Sequence, residues 1–181
     1  RQMCIRDRNS IMSNFVHLHL HTSYSLQDSS IRHDALIKRA VEFGMPAVAM
    51  TDHGNMFGAV EFYHALKESD LKPIIGVGAA VIEGPFSARG SASGRDRINS
   101  GQTQFLCQNR EGYNNLGYLV SLSYTEGKVD GVPCVNHQLL EKYHSGLIEL
   151  SGGRNGEISR HFLGERPDEA RRDARWYRDL Y

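Results

Sequence analysis

Between positions 15 and 21 apolar and imidazole side chains alternate strictly. Val16, Leu18 and Leu20 fall on one side, and His17, His19 and His21 on the other. A period of two predicts a strand with three histidines on one face. The period then lengthens. Leu36, Ile37, Ala40 and Val41 form an apolar stripe that predicts a helix to about Phe43, with Ser29 and Ser30 as candidate caps and Gly44 and Pro46 as its stop. The short apolar run 47–50 predicts a second, buried strand. Residues 55–68 predict a second helix that buries Val60, Tyr63, Ala65 and Leu66, and 73–82 predict a third strand. The order β-α-β-α-β implies parallel strands with right-handed crossovers.

Farther along, residues 83–102 are rich in Gly, Ser and Arg and predict an exposed loop. A fourth strand is expected over 104–107. A helix follows over 112–125, starting near Asn114 or Asn115 and buried through Leu116, Leu119, Val120 and Leu122. Residues 135–143 predict a short helix and 146–150 a further strand. Ser151-Gly152-Gly153 turns the chain, and helices follow from Gly156. The fold class is α/β, with no internal repeat and no low-complexity tract.

With 181 residues and 40% hydrophobic content, the chain can build one domain with a real core. Its 21 basic and 21 acidic residues balance. A domain that grips a nucleic-acid backbone carries a basic excess, so direct DNA binding by this piece alone is disfavoured. The arginines at 166, 171, 172, 175 and 178 alternate with Asp168, Glu169, Asp173 and Asp179, which reads as a solvated, ion-paired helix face. Cys4, Cys107 and Cys134 match neither a metal knuckle nor a redox pair, as expected for a reducing cytoplasm. No apolar run approaches the roughly 18 residues of a membrane helix, and no secretory signal is present. Residues 1–11 lack any pattern, and Met12 reads as a natural start. We therefore expect 1–11 to be a non-native leader and 12–181 to be one domain. The helical pattern over 167–181 lacks a stop, so that domain is expected to be cut off at its C-terminus.

The chemistry-bearing residues gather at the predicted strand tips. His19 and His21 point the same way, a geometry that suits two ligands on one metal ion. The second strand runs into Thr51-Asp52-His53-Gly54, and Asp28 lies in the loop after the first strand, within reach of the same end. In parallel α/β architectures that end builds sites. The plain alternative is a polar cluster satisfied by its own hydrogen bonds and water. The other histidines read more blandly. His33 and His64 fall on helices as surface groups, and His137, His144 and His161 lack partners at ligand spacing. The glycines form no phosphate-cradling motif.

Phe15-Val-His-Leu-His-Leu-His-Thr-Ser-Tyr-Ser-Leu-Gln-Asp28 resembles the opening motif of PHP (polymerase and histidinol phosphatase) domains. Thr51-Asp-His-Gly54, with Asn55 and Phe57-Gly-Ala-Val-Glu-Phe-Tyr63, is similar to their second motif, and Lys72-Pro-Ile-Ile-Gly76 to their third strand. Gly112-Tyr-Asn-Asn-Leu116 and Gly146-Leu-Ile-Glu-Leu-Ser-Gly-Gly153 resemble the version carried by alpha subunits of bacterial DNA polymerase III, not the stand-alone phosphatases. The similarity runs from Met12 to the last residue.

This resemblance implies an incomplete, distorted (β/α) barrel of the PHP type. It also implies metal ligands at His19, His21, Asp28 and His53. Gly78 stands where the family offers a carboxylate, Gln102 about where it offers a histidine, and Gly153 where it offers a cysteine. The final Asp-x-His pair would lie beyond Tyr181. Glu83 falls on the opposite strand face and should not substitute. The implied site is eroded: no tightly bound metal, with zinc or manganese held weakly at most. The implied role is in DNA replication. The polymerase carboxylates, their magnesium and the DNA grip belong to downstream domains, so no catalytic residue is expected in this chain. This domain would stabilise the polymerase and dock the proofreading exonuclease subunit among the other holoenzyme subunits. Two alternatives are an active metal-dependent phosphoesterase or 3′-5′ exonuclease, and a free-standing enzyme of the histidinol phosphatase kind.

Overall fold

The computed structural model describes residues 15–86 and 100–181, and the expected leader and most of the 83–102 loop lie outside them. Six strands form one mixed sheet: β1 (Ala47–His53), β2 (Lys72–Ile82), β3 (Gly101–Cys107), β4 (Lys128–Val129), β5 (Val132–Asn136) and β6 (Leu147–Leu150). Among the described residues six α-helices accompany it: α1 (His33–Glu42), α2 (Ala59–Glu68), α3 (Arg110–Thr125), α4 (His137–Tyr143), α5 (Glu157–Leu163) and α6 (Pro167–Leu180).

The long strand β2 organises the sheet. Along one edge its residues 72–78 pair in parallel with β1, and 80–82 pair in parallel with β5. Along the other edge its residues 76–81 pair with β3, which runs antiparallel, and β6 runs antiparallel to β3. The parallel β1-α2-β2 unit is as expected, but β3 reverses direction after the long loop. Among the described residues no ladder joins β6 back to β4, so the sheet stays open as an incomplete barrel. Asp130 (φ 50°) and Gly131 (φ 82°) make the tight β4–β5 turn, where two successive left-handed residues match the twist of a hairpin.

Several expected boundaries shift, each for a local reason. The strand expected over 15–21 contributes one isolated bridge, His17 to Val48. Ala49 N donates to His17 O and Thr51 N to Leu20 O, so three steps along this segment face two along β1. The extra residue bulges out at the sheet edge, and Leu18 is exposed. Ser29 does not cap α1; its hydroxyl donates to His21 O and accepts from Ile31 N. Asn55 delays α2, accepting from Phe57 N while donating to Tyr24 O and His53 O. The buried stripe of α2 is Ala59, Phe62 and Leu66, leaving Val60 and Tyr63 exposed. Asn109 caps α3 by accepting from Gly112 N, ahead of the expected start. The helix expected over 135–143 begins only at His137, because its first residues extend β5.

Two apolar cores lie on one face of the sheet. Val48, Met50, Phe62 and Leu66 pack under α1 and α2. Val77, Val81, Phe105, Leu116, Leu119, Val135, Leu140 and Tyr177 pack under α3, α4 and α6. Burial of these side chains is the main force holding helices to sheet, at about 25 cal/mol per Å² of apolar surface removed from water.

Three histidines belong to this layer: His33, expected on the surface, and His137 and His161, expected to lack partners at ligand spacing. His33 is buried between Tyr24 and Phe62, with Nδ1 3.5 Å from Glu61 Oε1. Buried His161 of α5 lies at ion-pair distance from Glu169 (3.1 Å) and Asp173 (2.9 Å) of α6. His137 stacks on Trp176 at 4.0 Å and donates to Glu157 Oε2 at 3.0 Å, an oxygen that also accepts from Tyr177. His64 is exposed as expected.

The His137–Glu157 pair gives a pH dependence. Burial opposes charge on His137, but the Glu157 carboxylate, with Asp173 and Glu83 behind it, outweighs burial and holds the imidazole above its ordinary range. Burial likewise opposes charge on Glu157, but His137 and Tyr177 hold its carboxyl below the usual range. A raised imidazole stabilises fully below its unfolded value, and that contribution fades as pH climbs through the folded value. A lowered carboxyl stabilises above its unfolded value, and its contribution fades as pH falls through the folded value. The pair therefore contributes most between about pH 4.3 and 6.5, the two unfolded values. His137→Gln is expected to cost about 1–3 kcal/mol in that window. The gap in melting temperature from the parent protein should narrow steadily toward alkaline pH. A gap that widens with pH would contradict this assignment.

Candidate metal centre

Three elements meet at the tip of β1. The 15–21 segment delivers His19 and His21, the following loop delivers Asp28, and the last residue of β1 is His53. His21 Nδ1 donates to Asp28 Oδ2, and His53 Nε2 donates to the same oxygen at 3.2 Å. His19 Nε2 stands 3.1 Å from His21 Nε2, and the rings of His21 and His53 are 4.1 Å apart. One ligand atom from each of His21, Asp28 and His53 falls within 4.8 Å of the others, with His19 adjoining through His21. His17 points elsewhere, against the ring of Phe15. Burial, and next the imidazoles of His21 and His53, hold His19 below the ordinary imidazole range, against the pull of Asp28. The hydrogen bond from His21 holds Asp28 below the usual carboxylate range.

What keeps these groups together is a residue that the sequence pattern did not single out for a role. Asp52 is fully buried. Its Oδ1 accepts from Thr22 N and Ser25 Oγ, both at 2.6 Å, and its Oδ2 accepts from Thr22 Oγ1 at 2.7 Å. Ser25 Oγ in turn accepts from His53 N at 3.1 Å. The loop bearing Asp28 is thus tied to the strand bearing His53 through one carboxylate. On its outer side Tyr24 donates to Glu61 Oε2 of α2, and a Cβ at Gly58 would stand 2.6 Å from the Tyr24 ring. Only glycine leaves that ring its seat.

The cluster opens into a cavity of about 490 Å³ whose wall includes Asp28, His53, Gly78, Gln102, Phe57 and Tyr124. A Cβ at Gly78 would lie 3.6 Å from His53 Nδ1, so a longer side chain there would face the cluster. Gly153, by contrast, does not line the cavity and has φ 56°. Glu83 turns away to Arg172, at 2.9 Å. Two or three imidazoles with one carboxylate form a mixed nitrogen and oxygen donor set that fits a single borderline cation. They do not fit a multi-ion cluster, because Gly78 offers no donor and Gln102 only a neutral amide.

A carboxylate and imidazoles at the tip of a parallel strand, backed by a buried Thr-Asp-Ser clamp, give an α/β domain with a candidate metal site. The PHP domain family matches residues 17–181, and the chain belongs to that family. It is 40% identical to the DNA polymerase III subunit alpha of Deinococcus radiodurans, a match covering 92% of this chain and 13% of that protein. It is 42% identical to the corresponding subunit of Aquifex aeolicus, over 79% of this chain and 12% of that protein. The chain therefore spans about an eighth of the length of these relatives. Among solved structures, an amidohydrolase from Chromobacterium violaceum aligns with 60% of this chain and 33% of its own, at 21% identity and a TM-score of 0.42.

Asp52→Ala is expected to destabilise the protein by at least about 2 kcal/mol, because it leaves the Thr22 N–H and two hydroxyls without their acceptor. Asp52→Asn keeps an acceptor for that N–H and should cost less. Thermal or urea unfolding of the two variants gives the order, and equal costs would show that Asp52 is not the clamp.

Proposed function

We propose that this chain is the PHP portion of a bacterial replicative polymerase alpha subunit. The complete protein then carries out DNA-directed DNA synthesis, a nucleotidyl transfer, in the cytoplasm. Its synthetic carboxylates, magnesium and DNA-binding surfaces lie in other domains. The PHP portion acts as a scaffold that stabilises the polymerase and docks its proofreading exonuclease subunit. The observation that carries this reading is identity near 40% across almost the whole chain to subunits of that name. Charge balance and the lack of any helix able to cross a membrane among the described residues agree with it.

In this reading His19, His21, Asp28 and His53 form a residual site that holds one zinc or manganese ion weakly. A bound ion would supply charge to offset phosphate and to acidify water. The residues themselves offer less: His53 and His21 share one carboxylate oxygen, and the Gly78 side of the cavity has no counter-charge. The second reading, an active phosphoesterase or 3′-5′ exonuclease domain, draws support from the convergence of His21, Asp28 and His53. The vacant positions at Gly78 and Gln102 weigh against it.

Two measurements separate these readings. The complete alpha subunit, with and without this domain, is co-purified with its exonuclease subunit. Loss of the exonuclease on deletion is expected, and equal recovery would end the scaffold reading. Separately, Gly78→Glu with Gln102→His is expected to raise bound zinc or manganese in elemental analysis. A cysteine at Gly153 is left out, because a left-handed backbone costs about 1–2 kcal/mol for a residue with a Cβ. Stoichiometric metal in the parent protein, with phosphoesterase activity abolished by His19→Ala, would favour the second reading.

A further inference from the structure

The helical layer has a gap. Between α2 and the start of α3 lies a cleft of about 520 Å³, floored by Pro73 and Ile75 of β2 and by Cys107 of β3. Val60, Tyr63 and Tyr113 wall it, with 64%, 45% and 40% of their surfaces exposed. It lies along the seam between the two cores. The strand residues that floor it alternate with Gly76 and Gly78, so it occupies the sheet face opposite the metal centre. An occupant would leave the histidine cluster open.

The lining of the cleft is cationic although the chain is neutral overall, with exposed Glu68 and Glu111 close by in the chain. His64 and Arg110 line the cleft, and no carboxylate does. The Lys67 amino group lies 5.9 Å from the centre of the Tyr63 ring, and Lys72 adjoins Pro73. Among the described residues no ion pair engages Arg110, Lys67 or Lys72. The acidic group of α2 that makes contacts, Glu61, is spent on the far side of that helix against Tyr24 and His33. Two tyrosines, a valine and an arginine around an apolar floor are the residue types that anchor protein interfaces.

We infer that this cleft is a docking surface for a partner segment that presents an apolar or aromatic anchor flanked by carboxylates. The apolar group fills the floor between Val60 and Tyr113. The carboxylates meet Arg110 and the lysines, so binding weakens as salt screens them. The inference rests on the scaffold reading, with the segment supplied by the exonuclease subunit.

The test titrates the complete alpha subunit with its exonuclease subunit at low and high salt. The unaltered protein tests the scaffold reading, and absence of binding there removes both. Val60→Glu and Arg110→Glu are each expected to weaken binding at least 10-fold, with a shallower salt dependence for Arg110→Glu. Arg110→Glu places a carboxylate in the first turn of α3, where the helix dipole favours it, so the fold is kept. Phe162→Glu, on the exposed face of α5, serves as a control and should bind normally. Full affinity in both cleft variants, with the unaltered protein binding, overturns the cleft and spares the scaffold reading. A dimer of the complete subunit that Val60→Glu abolishes in sedimentation would assign the cleft to a second copy and also overturn the inference.

Discussion

The carboxylate of Asp52 is fully buried and accepts from three donors, every one of them from the loop that precedes Asp28. A buried charge is tolerable only when its lone pairs are filled, so the loop is compelled to lie across the tip of β1. That single requirement brings Asp28 beside His53. It also turns Ser25 toward the His53 backbone, and it leaves Tyr24 free to reach α2. Thr51, one residue earlier, repeats the device more lightly by accepting from Leu20 N and donating to Leu20 O. The histidine segment makes only one regular bridge, so side chains do much of the work that a strand ladder does elsewhere.

Two glycines on β2 show which departures the fold demands. A Cβ at Gly76 would stand 2.5 Å from Phe105 O, so the close approach of β3 requires glycine there. A Cβ at Gly78 would meet nothing nearer than 3.3 Å. Packing thus demands glycine at 76, and at 78 a Cβ would press on the Thr51 carbonyl, a milder constraint. The opposite end of the same strand shows a different economy. There the sheet face beneath the helices is incompletely covered, and apolar groups stay in contact with solvent beside Arg110, which among the described residues engages no ion pair.

The C-terminal helices are held to the rest by polar groups as much as by apolar ones. Glu157 sits between His137 and Tyr177, and Asp173 between His161 and Arg172. A cluster of this kind contributes modestly when complete and is costly when broken, because a buried carboxylate such as Glu157 would be left without its donors. It fixes how α5 and α6 approach α4, which apolar contact alone specifies less sharply.

Alternation by itself placed His19 and His21 on one side, because side chains two apart on an extended backbone share a face whatever surrounds them. Most of the stripes of α1 and α3, the run into β1 and the span of β2 were legible for the same reason, that period is a local property of the chain, though Val41, placed in the α1 stripe, is exposed. The α/β class of the fold and the closeness of His19 to His21 followed from period as well. Partners that come from far along the chain were not legible. Asp52 finds Thr22 thirty residues back, and nothing near it in sequence announces a clamp. His33 and His161 carry no local mark of burial; Glu61, Glu169 and Asp173 make it tolerable by arriving from other helices. The buried stripe of α2 was misread because Val60 and Leu66 are equally apolar, and only the position of the helix over β2 decides which is covered. The direction of β3 escaped as well, since a strand's own residues do not record whether the chain returns to it by a crossover or by a reversal.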